Sequence, residues 1–189
     1  MENDPSYYHH RRSIRLQGYN YSQAGAYFIT IVTNNRECLF GEIKNGTMIL
    51  NDTGKIAQQC WLEIPNHFPN AELDEFVIMP NHIHGIIVLN NIVGVQNNAG
   101  VQNDVGVQNF EPLQKQNQYQ KIIPKSVGSI VRGFKIGVTK WFRHNIKIYI
   151  VWQRNYYEHI IRTEDDLKRI RQYIIDNPLN WKSDENYDQ

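Results

Sequence analysis

Apolar and polar positions alternate along the chain in blocks whose period changes, and the changes mark the elements. Residues 26–33 (AYFITIVT) are β-branched and aromatic and predict a strand buried on at least one face. Residues 37–50 predict a short hairpin around the turn dipeptide Asn45-Gly46. A helix is expected from a cap at Asp52 or Thr53 to about Phe68, with Ile56, Cys60 and Ile64 at helical spacing and Pro65 near its end. Two strands follow, 73–79 and 82–89. Pro80-Asn81 divides them by a tight turn, so they should be antiparallel neighbours.

After Pro124 the period is helical to about His144, with Val127, Ile130, Val131, Phe134, Val138 and Trp141 as the apolar stripe. Residues 148–153 (IYIVWQ) read as a short strand. A last helix starts behind the cap Thr163, carries Glu164, Asp165 and Asp166 at the positive end of its dipole, and stops at Pro178. Strand, helix, two strands, helix, strand, helix is the order of an α+β sandwich, an antiparallel sheet with helices packed on one face.

The block 91–120 breaks this pattern. It contains GVQNNA, GVQNDV and GVQNF in tandem. Three copies of a hexamer are too few to bury the core of a β-helix, so the block reads as an expanded surface loop inside a single domain spanning 1–189.

Composition changes the picture little. With 189 residues, 41% hydrophobic and 21% charged, the chain is long enough for a real core. No apolar run reaches the roughly 20 residues of a membrane span. The opening residues are polar and basic without an apolar signal core, which leads us to expect a cytoplasmic, nucleoid-associated protein. Cys38 and Cys60 fit no metal or redox spacing.

Net charge is only +1, but its distribution is uneven. Between 121 and 171, twelve Lys and Arg stand against Glu158, Glu164, Asp165 and Asp166, and the tail beyond Pro178 is acidic. A second basic cluster, Arg11, Arg12 and Arg15, opens the chain beside Tyr7 and Tyr8. Cations interleaved with aromatics suit a phosphate backbone with unstacked bases. A solvated charged surface is the plainer explanation for any one such cluster.

The chemistry concentrates in His82-Ile83-His84. Residues two apart on a strand face the same way, so both imidazoles point at one spot. Imidazole is a common metal ligand, and a hydrogen-bonded strand pair is the alternative. On the last helix Tyr173 and Asn177 lie four apart, beside the stripe Leu167, Ile170 and Ile174. An amphipathic core-edge tyrosine and a helix-ending asparagine are the simple readings of those two residues.

Taken together, MPNHIHGIIVL at 79–89, VWQRNYYEHIIR at 151–162, YIIDNP at 173–178 and AYFITIVTNN at 26–35 resemble the HUH endonuclease superfamily. Within it the chain is similar to the single-tyrosine transposases of the IS200-like type and their relatives associated with repetitive extragenic palindromes. The resemblance spans nearly all of the chain outside the repeat block and the extreme termini.

It implies a ferredoxin-like sandwich and a metal-dependent endonuclease and strand transferase acting on single-stranded DNA whose palindromes fold into hairpins. It implies His82 and His84 as ligands of a divalent metal, Mg2+ or Mn2+, and Tyr173 as the nucleophile that forms a 5′-phosphotyrosine. Asn177 takes the third ligand position, where the wider superfamily carries glutamine. Arg11, Arg12, Arg15, Arg132, Lys135 and Arg154 are the candidate phosphate contacts, and monomer and homodimer are both compatible. Tyr156 and Tyr157 are rival nucleophiles, and His159 is placed outside the metal shell. A domesticated protein that binds hairpin DNA without moving it is the alternative function.

Overall fold

The computed structural model of the chain describes residues 21–90 and 123–187. The repeat block and the cluster Arg11, Arg12 and Arg15 lie outside them. The central sheet has four antiparallel strands: β1 (Gly25–Val32), β4 (Ala71–Ile78), β5 (His82–Leu89) and β6 (Tyr157–Ile161), in the order β4-β5-β1-β6. The hairpin of β2 (Gly41–Lys44) and β3 (Thr47–Leu50) stands apart from it. Its turn residues Asn45 and Gly46 both take positive φ, 52° and 74°, as a tight hairpin requires.

Helices α1 (Asp52–Leu62), α2 (Ile64–His67), α3 (Val127–Asn145) and α4 (Glu164–Asp176) complete the fold. The expected helix over 52–68 is two. Pro65 enters the first turn of α2, where its missing N–H costs nothing, and the chain breaks at Glu63. The cap of α1 is Asn51, whose side chain accepts from the Gly54 N–H at 2.8 Å, one residue before the expected position. Thr163 caps α4 as expected, accepting from the Asp166 N–H.

Alternation along the strands builds two cores. Tyr27, Ile29 and Ile31 of β1 and Ile83 and Ile87 of β5 face α1 and α3, meeting Trp61, Ile130, Phe134 and Val138. The opposite residues, Phe28 of β1 and Ile86 of β5, meet Ile170 and Ile174 of α4. The expected sandwich with helices on one face therefore describes the β1-α1-β4-β5-α3-β6 unit, a ferredoxin-like order. The final helix differs, because α4 covers the other face. That face holds His82 and His84, so the excursion of α4 is what brings the two halves of the site together.

A second correction concerns 148–153. This run makes only an isolated bridge, Trp152 to Thr33, while Tyr149 and Ile150 are exposed. The edge of β1 is taken by Tyr157–Ile161 instead, in register Ala26↔Ile161 to Thr30↔Tyr157. Strand propensity marked the wrong stretch because a strand exists only where a partner edge is free.

Gly85 sets the height of α1 over the sheet. A Cβ there would lie 2.3 Å from a ring carbon of Trp61, so glycine lets the indole sit directly on the strand, on the face opposite His84.

Candidate functional site

His82 and His84 stand on β5 with Ile83 turned into the opposite core, as the two-residue period demands. Both imidazoles are buried, and their Nε2 atoms lie 3.0 Å apart. Each ring is oriented from behind through Nδ1. His82 Nδ1 meets Asn81 Oδ1 at 2.8 Å. The Asn81 amide nitrogen donates to the carbonyls of Arg36 and Asn186, which leaves its oxygen as the acceptor. His82 therefore carries its proton on Nδ1 and turns the Nε2 lone pair toward His84. His84 Nδ1 meets Thr30 Oγ1 at 2.8 Å, its directly opposite partner in the β1–β5 register.

Two nitrogen lone pairs that close repel unless a proton or a cation lies between them. Burial, then the neighbouring His84, drives the His82 pKa down to about 3, and burial also lowers that of His84. At neutral pH both rings are thus neutral, the form that binds metals.

Helix α4 brings the other components. Tyr173 Oη is 3.2 Å from His84 Nε2, and its ring packs edge-on against Phe28, which stacks on His84. The phenol ring is half exposed, so its outer face is open to a substrate. Burial, then the carboxylate of Asp184, pushes the Tyr173 hydroxyl up to about 12. Asn177, one turn on, is 2% exposed; its Nδ2 donates to Asp184 Oδ2 at 3.0 Å while its Oδ1 has no partner. A buried amide oxygen without a donor is costly, and beside two converging imidazole nitrogens it suits a cation.

Asp184 was not legible in the sequence, where it reads as part of an acidic tail. Its carboxylate is buried, 3.9 Å from His82 Nε2 and 3.8 Å from His84 Nε2. Burial alone would raise its pKa. Contacts with His84, the Asn186 N–H, His82 and Asn177 outweigh that and hold the carboxyl well below the usual range. His82, His84 and Asp184 offer ligand atoms that all lie within 4.8 Å of one another.

The rival tyrosines separate by face. Tyr156 packs against the α3 core, with Lys135 Nζ 6.0 Å from its ring centre, on the far side of the sheet from the histidines. Tyr157 pairs with Thr30 and meets Phe28 edge-on, so it shares the face of His84. His159 bonds Asp166 at 2.8 Å, away from the histidine pair.

Arg132, Lys135 and Arg154 line one groove of about 850 Å³ along α3, together with Lys140, Arg143 and Lys147. Lys135 donates to the carbonyls of Gln153 and Asn155, both at 2.9 Å, so it holds the backbone on either side of Arg154. Burial lowers its pKa to about 8. Among the described residues no helix is long and apolar enough to cross a membrane.

No protein-family model matches the chain. An uncharacterized protein of Haemophilus influenzae is 51% identical over 182 residues, covering 95% of this chain and 94% of its own length. Among solved structures, a REP-associated tyrosine transposase bound to a REP hairpin is similar over 89% of this chain and 74% of its own, with a TM-score of 0.56 and 20% identity. The chain belongs to one family with the Haemophilus influenzae protein, and its fold is that of a REP-associated tyrosine transposase.

Proposed function

We propose that the protein is a metal-dependent single-stranded DNA endonuclease and strand transferase, acting on hairpin-forming palindromic DNA through a 5′-phosphotyrosine on Tyr173. The observation that carries this reading is the approach of the Tyr173 hydroxyl to His84 Nε2, beside a second buried imidazole with its lone pair turned the same way. The donor set fits a divalent cation: two imidazoles each held from behind through Nδ1 with their Nε2 atoms converging, and the unpartnered Asn177 Oδ1. His82, His84 and Asn177 would hold it. Such a cation supplies neutralisation of the phosphate charge and favours the phenolate.

The residues of the chain account for the rest. Phe28 holds the Tyr173 ring edge-on, so the hydroxyl stays beside the histidines while the ring remains open outward. The Tyr173 hydroxyl gives up its proton as its oxygen attacks phosphorus, the bond to the 3′ oxygen breaks, and that oxygen takes up a proton to leave as a 3′-hydroxyl. One phosphodiester replaces another, so reverse attack reseals DNA without an external energy source.

The basic groove supports DNA as the substrate, because its six cations give the screened, salt-sensitive attraction a phosphate backbone needs. It lies on the α3 side of the sheet and the histidines on the α4 side. A strand touching both would pass an edge, and β6 with its exposed Tyr157 is the edge beside β1. The solved transposase of like fold was captured with a REP hairpin, in keeping with this substrate class.

The test is incubation of the full chain with hairpin-bearing single-stranded DNA and Mg2+ or Mn2+, followed by denaturing electrophoresis and peptide mapping. A covalent adduct on Tyr173 is expected. Hairpin binding without any adduct would leave a DNA-binding protein in place of a nuclease.

A further inference from the structure

We infer that Asp184 is an anionic ligand of the metal site, supplied by the chain beyond α4; this rests on the reading of His82 and His84 as metal-binding. The side chain of Asp184 is only 2% exposed. Its two oxygens are divided between the imidazoles, Oδ1 toward His82 and Oδ2 toward His84. Among the described residues it forms no ion pair with a lysine or arginine. A buried carboxylate whose two oxygens are aimed at two converging imidazoles, with hydrogen bonds but no lysine or arginine partner among the described residues, is placed as a cation ligand would be.

The turn that carries Asp184 is held in place by the groups that build the rest of the site. Asn81, which fixes the His82 tautomer, also donates to the Asn186 carbonyl at 2.7 Å. The Asn186 N–H donates to Asp184 Oδ1 at 2.7 Å, and Asn177 donates to Oδ2. Trp181 packs on His82 with ring centres 5.9 Å apart, and Tyr187 packs edge-on against Trp181. Asn177 then serves twice, bonding the carboxylate through Nδ2 and leaving Oδ1, without a partner, for the same cation. Two imidazoles, one amide and one carboxylate form an oxygen-nitrogen set suited to Mn2+ or Mg2+, and they leave coordination positions for phosphate oxygens.

Calorimetric titration of the full chain with Mn2+ tests this without reference to cleavage. Asp184→Asn should weaken Mn2+ binding by about tenfold or more. The metal-free variant should melt no lower than wild type, since a buried charge is gone, while the rise in Tm on adding Mn2+ shrinks. Binding unchanged within about threefold, well short of the loss expected for a ligand or its support, overturns the assignment. Faster cleavage at unchanged affinity also overturns it, by showing that the carboxylate stands where phosphate must go. If Asp184→Asn does not fold, Asp184→Glu and Asp184→Ser are compared in the same titration. The charged variant must bind more tightly, and equal affinities overturn the assignment.

The two readings fail separately. Loss of affinity in Asp184→Asn without any DNA adduct in wild type removes the nuclease and keeps the ligand. Loss in His82→Ala alone keeps the metal site and removes Asp184 from it. A wild-type chain that takes up no Mn2+ overturns both.

Discussion

Tyr173 Oη and His84 Nε2 lie 3.2 Å apart although 89 positions separate them in the chain. The contact exists because β5 turns His84 toward the face that α4 covers, and because α4 is fixed on that face by its apolar stripe and by an ion pair. Ile170 and Ile174 meet Phe28 and Ile86. At the sheet edge Arg171 makes a two-pronged bond to Asp74 of β4, at 2.7 and 2.5 Å.

That pair gives a pH dependence. The bond from Arg171 is the main cause of the lowered Asp74 pKa. A depressed carboxyl contributes stability that is fully present above its unfolded value of about 3.9 and is lost as pH falls through the folded value. Thermal melts of wild type and Asp74→Asn should therefore differ at pH 7 and converge as the pH is taken below about 3.9. A difference that persists at low pH would assign the effect to packing rather than charge.

The orientation of His84 can be tested without touching the ring. Thr30→Val keeps the shape of the side chain and removes the oxygen that meets Nδ1 at 2.8 Å. Loss of such a supporting bond typically weakens metal affinity about 10–100-fold. Mn2+ titration should show that loss, with a circular dichroism spectrum like that of wild type.

Gly85→Ala is expected to destabilise by about 1–3 kcal/mol, the usual cost of overpacking, because the new methyl meets the Trp61 ring and both are fixed in the core. Urea unfolding measures it. A neutral result would mean that Trp61 can shift without consequence for β5.

Much of this was legible from period alone. Alternation put His82 and His84 on one face, helical spacing put Tyr173 beside Asn177, and Thr163 announced the start of α4. Three things were not. Asp184 sits in an irregular turn, where no periodicity reports direction, and its neighbours read as a solvated acidic tail. The choice between 148–153 and Tyr157–Ile161 for the edge strand depends on the free side of β1, which propensity does not see. The side of the sheet taken by α4 is likewise a matter of which apolar face remained uncovered once α1 and α3 had filled the other.

The repeat block 91–120 joins the end of β5 at Leu89 to the start of α3 at Val127 and holds few charged, aromatic or ligand residues. Replacing it with a short Gly/Ser linker should leave adduct formation intact. A loss as deep as that of His82→Ala would give the block a function of its own.

The tyrosines provide the most discriminating set. A phenol oxygen is required for the covalent bond, while packing against Phe28 and His84 needs only the ring. Tyr173→Phe should therefore keep the fold, Mn2+ binding and hairpin affinity, yet form no adduct. His82→Ala should also form none, by losing metal, and excess Mn2+ should restore part of the activity. Tyr156→Phe, on the opposite face, and Tyr157→Phe, beside Phe28, should stay within about tenfold of wild type, a barrier change of roughly 1.4 kcal/mol. Tyr157 is the sharper control, since it shares the face of the histidines. An adduct that survives in Tyr173→Phe and maps to Tyr157 would move the nucleophile from α4 to the sheet edge and leave the histidine pair where it is.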